Sequence, residues 1–222
     1  EGSRFRFAGP ARMGTGSRRE IIKMRSKHLI PLLVLLMGGI AMAGPSAPEE
    51  VAVRFLKAGE YQKALDEVET ILEKTPDSAV AWFCRGYALT EQKKLDEALK
   101  AYDRVNVIMP RNARAWNNRG VVLDTLGRYE EAEKSYRKAL GIDPTYASPW
   151  NNLGVTLDKV GRAEDAMTAF RSAIEADPEY AAPHNNLGAI LYERGKKEEA
   201  GDHFQAAREI DPHYTLPMVN LG

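Results

Sequence analysis

The chain has few of the residues on which disulfide scaffolds, metal centres and nucleophilic enzymes depend. A single cysteine, Cys84, in 222 residues excludes an intrachain disulfide framework and any cysteine-based metal site. Histidine is also scarce: His184, His203 and His213 stand apart in sequence and show no metal-ligand spacing. No P-loop, nucleophile elbow or zinc motif occurs. Acidic pairs such as Glu130-Glu131 and Glu198-Glu199 fall at expected helix starts, where they suit the helix dipole rather than acid–base chemistry. No catalytic residue, metal or cofactor is implied, and the expectation is a protein that is not an enzyme.

A long apolar run is missing too. The one candidate, residues 29–40, is shorter than the roughly 20 residues a membrane-spanning helix needs. Net charge is formally zero, but that balance averages two unlike parts. Residues 1–43 carry eight Lys or Arg against Glu1 and Glu20, which leaves 23 basic and 29 acidic residues, a net of −6, over residues 44–222. That sign argues against a nucleic-acid partner, which requires a basic face. With 44% apolar residues, 28% charged and few strand-like alternations, the body reads as helical.

The basic first part reads as an address. Met24-Arg25-Ser26-Lys27-His28, the apolar run and Ala41-Met42-Ala43 form a basic region, a hydrophobic region and an A-x-A cleavage site, the pattern of a secretory signal peptide over residues 24–43. Cleavage after Ala43 leaves no membrane span and places the protein outside the cytoplasm, periplasmic or secreted; an uncleaved signal leaves it membrane-anchored. Residues 1–23 then read as an extension upstream of a start at Met24. Within them Ser17-Arg18-Arg19-Glu20-Ile21-Ile22-Lys23 resembles the twin-arginine export motif, but residues 24–28 separate it from the apolar run, which favours general secretion. Residues 44–48 form a short Pro/Gly/Ser/Ala linker.

What the rest of the chain has is a period. Trp116-Asn117-Asn118-Arg119-Gly120 returns as Trp150-Asn151-Asn152-Leu153-Gly154 and as His184-Asn185-Asn186-Leu187-Gly188, offset by 34 residues each time. Weaker copies are Trp82-Phe83-Cys84-Arg85-Gly86 upstream and Met218-Val219-Asn220-Leu221-Gly222 at the end. Units start at Ala79, Ala113, Ala147 and Ala181. Each has Gly at position 8 (Gly86, Gly120, Gly154, Gly188) and Ala at position 20 (Ala98, Ala132, Ala166, Ala200). Position 24 is an aromatic (Tyr102, Tyr136, Phe170, Phe204) and position 32 is Pro (Pro110, Pro144, Pro178, Pro212). A divergent first unit spans residues 47–76, and residues 215–222 start a sixth. A period of this length marks a stack of supersecondary units, none of which buries its apolar face alone. The second-helix residues Ala132, Tyr136, Ala139 and Leu140 form a helical stripe. Gly and Ala at positions 8 and 20 let the two helices approach closely, and the Trp at position 4 is expected to fill the space between units. Tyr146, Tyr180 and Tyr214, just before a helix, read as hydrophobic staples.

These residues, in phase at five positions over residues 79–214, resemble the tetratricopeptide repeat family. The resemblance implies an all-α, right-handed superhelical solenoid of helix-turn-helix units that binds proteins in its concave groove. Arg85 and Arg119 at position 7, and Leu instead of Tyr at position 11 (Leu89, Leu123, Leu157, Leu191), depart from the family pattern. By resemblance, the groove is lined by positions 2, 5, 6, 9, 12 and 13 of each first helix. The candidate peptide-binding residues are therefore Asn117, Asn118, Asn151, Asn152, Asn185 and Asn186, with Asp124, Asp158 and Tyr192 at position 12. The position 6 amides, Asn220 included, resemble the asparagine ladder of O-linked N-acetylglucosamine transferases. Their adjacent position 5 amides are expected to be exposed. The groove does not match the carboxylate clamp that some such domains use, since Phe83, Tyr87, Asn118, Ser148 and Asn152 supply only its central Asn. Arg114 and Lys159 are its main basic residues.

The functional expectation is an exported scaffold for a protein or peptide partner. The alternative is the substrate-docking arm of a larger enzyme such as a glycosyltransferase, of which this would be a fragment. Because residues 215–222 cannot supply a capping helix, self-association through the uncapped end is a further expectation.

Overall fold

The computed structural model describes residues 46–212, and among them none is in a β-strand. The export signal, the upstream segment, His213, Tyr214 and the partial sixth unit lie outside the described residues. Among the described residues ten helices run in pairs. The first pair is α1 (Ala47–Ala58) and α2 (Tyr61–Lys74); the second is α3 (Ala79–Glu91) and α4 (Leu95–Ile108). Then come α5 (Ala113–Thr125) with α6 (Tyr129–Ile142), α7 (Ala147–Lys159) with α8 (Ala163–Ala176), and α9 (Ala181–Glu193) with α10 (Lys197–Ile210). The four units read from the sequence begin where α3, α5, α7 and α9 begin.

Local chemistry explains where each helix stops. At position 15 the chain turns left-handed, at Gly127, Gly161 and Gly195 with φ near 75–81°, a conformation that costs glycine little. The following N–H then donates back to the Leu at position 11, from Arg128 to Leu123, from Arg162 to Leu157 and from Lys196 to Leu191. This is the Schellman closure of a helix end. The second unit makes the same turn with Lys93 at φ 64°. Second helices end before the position 32 proline, which cannot continue them. First helices α3 and α5 start on side-chain caps: Ser78 accepts from the Ala81 N–H and Asn112 from the Ala115 N–H.

Within each unit the core is built on one contact. The ring at position 24 lies directly against the glycine at position 8. A Cβ on Gly120 would stand 2.5 Å from the Tyr136 ring, and one on Gly154 would stand 2.6 Å from that of Phe170. The alanines at position 20, from Ala98 to Ala200, are fully buried beside this contact. Tyr102, Tyr136 and Phe170 are among the largest fully buried side chains, so burial and close approach are achieved together.

The tryptophans do more than pack. Trp82, Trp116 and Trp150 are only half-buried, and their indole N–H groups donate to the carbonyls of Pro76, Pro110 and Pro144 at 2.8–3.0 Å. Each Trp therefore clips the turn that leads out of the previous unit, while Trp82 and Trp150 also pack, partly buried, against the core.

Adjacent units are also matched in charge. Arg119 at position 7 pairs with Asp103 at 2.6 Å, and Arg85 pairs with Glu69 at 2.8 Å. Both acids occupy position 25 of the preceding unit. Where position 7 is Leu153 or Leu187, position 25 of the preceding unit is Arg137 or Arg171. The two arginine departures at position 7 are therefore half of a pair.

Second helices pack against the first helices on either side. First helices also touch one another directly, α1 with α3, α5 with α7 and α7 with α9. The row of elements that comes closest lies on the inside of a curved stack, so the first helices line the concave face.

Candidate functional site

The groove is built from the exposed sides of α5, α7 and α9, and its floor is a row of amides. Asn152 donates its Nδ2 to the Oδ1 of Asn117, and Asn186 donates to Asn151, both at 3.0 Å. Asn117 and Asn185 in turn donate toward their neighbours Asn118 and Asn186, at 3.3 and 3.5 Å. The ladder is anchored upstream by the Tyr102 hydroxyl, which accepts from Asn118 at 3.4 Å. Cys84 holds the equivalent of position 6 there, buried, with its thiol pushed up to about 12 by burial and by Glu49. It is inert packing.

These bonds correct one expectation. Asn117 and Asn151 are not exposed: they keep 5% and 7% of their surface and carry the inter-unit hydrogen bonds. The doubled amides join one repeat to the next. Asn118, Asn152, Asn185 and Asn186 are half-buried. An amide offers two N–H donors and a carbonyl with two lone pairs. Each position 6 amide, after its inter-unit bond, keeps hydrogen-bonding capacity on its open side.

The position 12 residues differ from one another. Asp124 is engaged on both oxygens, with the Thr156 hydroxyl donating at 2.9 Å and the Lys159 ammonium paired with the other oxygen. The buried Tyr136 hydroxyl lies beside Asp124 and Thr156; burial, and then the Asp124 charge, push its pKa up. Asp158 has neither contact, and burial pushes its carboxyl up. Tyr192 stacks under Lys197, whose ammonium is 5.9 Å from the ring centre. The two cations read as open to a ligand are taken: Lys159 by Asp124, and Arg114 by the Tyr146 ring at 5.8 Å. Tyr146 is itself the N-cap residue of α7 and makes no capping bond with its side chain; its ring instead meets Arg114 at the start of the same unit.

Thr156 and the Tyr102 and Tyr136 hydroxyls were not among the sequence candidates. Their signal was available: position 24 is Tyr in two units and Phe in two, and Thr156 stands where the other units have Ala88, Val122 and Ile190. The histidines were read as isolated, yet the Nδ1 atoms of His184 and His203 lie 3.1 Å apart. Among the described residues no group of three or more His, Cys, Asp or Glu is placed to hold a metal ion. The chemistry the groove offers is that of amides, hydroxyls and carboxylates, with Asp158 unpaired among the described residues.

Against this geometry stands one family match. The model of the Cilia and flagella-associated protein 70 C-terminal domain, a tetratricopeptide repeat domain, matches residues 45–214. The chain belongs to that family. Tetratricopeptide solenoids among solved structures resemble it in fold. A crystal structure of MamA aligns with a TM-score of 0.66 at 18% identity, covering 78% of this chain and 97% of that one. MamA from residue 41 to its end, from Desulfovibrio magneticus RS-1, gives 0.66 at 21% identity over 76% and 96%. PilF of Pseudomonas aeruginosa gives 0.69 at 21% identity over 73% and 74%. No curated protein matches the chain. A tetratricopeptide repeat solenoid is a scaffold fold suited to protein–protein interaction, and among the described residues no helix is long and apolar enough to cross a membrane.

Proposed function

We propose that the chain is a non-catalytic scaffold, exported to the cell envelope, that holds an extended peptide segment of a partner protein in its concave groove. The observation that carries this reading is the amide ladder. Asn118, Asn152 and Asn186 recur once per unit and are locked in orientation by bonds to Tyr102, Asn117 and Asn151. Amides held in place before binding lose little side-chain entropy on meeting a peptide backbone, and a backbone presents one donor and one acceptor per residue. Export rests on the signal pattern of residues 24–43. N-terminal sequencing of the protein recovered from cells is expected to begin at Gly44.

The groove is tested by selecting a displayed library of random peptides on the full chain. The best binder is then measured by calorimetry against Asn118→Ala, and against the triple change of Asn118, Asn152 and Asn186 to Ala. Losses of about tenfold or more in the triple variant are expected, with helix content retained by circular dichroism. If the triple variant does not fold, the single Asn118 change decides, since among the described residues its amide hydrogen-bonds only with Tyr102 and Asn117. Undiminished binding rules the ladder out.

A further inference from the structure

Asp124 and Asp158 occupy the same groove position one unit apart, and their surroundings have diverged. Asp124 receives the Thr156 hydroxyl and the Lys159 ammonium, beside the Tyr136 hydroxyl. One period later these three residues are Ile190, Glu193 and Phe170. Every group that satisfies Asp124 has been replaced, two by apolar side chains and the cation by an acid. Among the described residues the Asp158 carboxylate makes no hydrogen bond or ion pair, although it is half-buried.

The helix end points the same way. Lys159 is a basic residue in the last turn of α7, whereas the last turn of α9 has none and ends on Glu193. A helix C-terminus carries partial negative charge that a cation stabilises. By the correspondence with Asp124 and Lys159, Asp158 and Glu193 fall in one stretch of groove, and among the described residues neither carboxylate makes an ion pair, within a body of net charge −6 over residues 44–222.

We propose that Asp158 seats a lysine or arginine side chain of the bound peptide, whose cation takes the place that Lys159 holds beside Asp124. The inference rests on the groove reading and adds the chemistry of the ligand: an extended segment with a basic residue at one register. A peptide cation there gains a charge-assisted hydrogen bond to a half-buried carboxylate, stronger than one to a fully exposed acid. Its register follows from the ladder, because Asn152 and Asp158 lie on the same helix, six residues apart.

The test selects one random peptide library, displayed on phage, on four forms of the full chain: wild type, Asp158→Asn, Glu193→Lys and Asp124→Asn. Asp158→Asn keeps shape and removes charge; Glu193→Lys supplies the missing internal cation. Wild type is expected to enrich peptides with Lys or Arg at one fixed place. Asp158→Asn and Glu193→Lys should lose that preference, with the wild-type binder weakened about tenfold, and Asp124→Asn should retain it. A wild-type consensus without a basic residue overturns the Asp158 seat and leaves the groove reading standing. So does a basic consensus that survives both charge changes, or one abolished equally by Asp124→Asn. Enrichment of no peptide overturns the groove reading itself, and the seat with it.

Discussion

Glycine shows most plainly how the position of a residue in the period decides what it does. Gly120 and Gly141 both sit inside helices, but a Cβ on Gly120 meets the Tyr136 ring at 2.5 Å and one on Gly141 meets nothing within 4 Å. Gly120→Ala is expected to destabilise the protein by about 1–3 kcal/mol, overpacking outweighing helix propensity. Gly141→Ala should stabilise it by up to about 1 kcal/mol. Urea midpoints of the two variants moving in the same direction would contradict the packing described. Asn106 is the reverse case. It is 7% exposed, and neither atom of its amide has a partner, while the next two units place Leu140 and Ile174 at its position. An unsatisfied buried amide costs about 1–3 kcal/mol. Asn106→Leu should therefore raise the urea midpoint by a corresponding amount, and a lower midpoint would show that the amide has a use in the fold.

At the scale of helices and their pairs, the last described unit breaks the pattern of the others. His184 replaces the clipping Trp and meets His203 on α10, where α8 has Ala169. Burial pushes both imidazoles below the ordinary 6.5, and His184 is lowered further by His203. Arg171 on α8 also lowers His203, while Glu199 and Asp202 on its own helix oppose this. Below about pH 6.5 the unfolded chain binds protons that the folded pair resists, so stability rises with pH in this range. The contribution is complete above 6.5 and is lost as pH falls through the lowered folded values. The denaturant midpoint is expected to drop between about pH 7 and about pH 5 more in wild type than in a His184→Trp/His203→Ala variant, which restores the Trp150–Ala169 pattern. Equal drops would remove the pair from the pH response.

Helix existence, helix starts and the close approach of the two helices at positions 8 and 20 were legible in the sequence, because the determinants of each lie within one 34-residue unit; that the position 24 ring fills the space over the glycine was not read from it. The bonds between units were not. Asn152 reaches Asn117 and Asn186 reaches Asn151, each across 35 residues, distances set by how units stack rather than by any local pattern. The exchange of Arg119–Asp103 for Leu153–Arg137 could have been found by comparing positions 7 and 25 in neighbouring units. It is invisible when each unit is compared only with a consensus.

At the scale of the whole molecule, the stack turns a repeated five-residue stretch into a continuous surface. Trp clips, position 7 pairs and buried amides hold units together: the clips and pairs bind the end of one unit to the start of the next, and the amides join successive first helices. What remains open on the concave side is a regular row of amides with one region of uncompensated negative charge at α9. Stability is spread along the stack as a sum of neighbour terms, so changes on the groove side of a half-buried residue can be made without unfolding the rest. The most direct measurement is nuclear magnetic resonance of the full chain titrated with its best library-selected peptide, following the side-chain amide signals. The largest shifts are expected at Asn118, Asn152 and Asn186 and along the backbone of α5, α7 and α9. Shifts confined to the outer helices α4, α6 and α8, around Arg104 and Arg137, with the asparagine amides unmoved, would contradict binding in the groove.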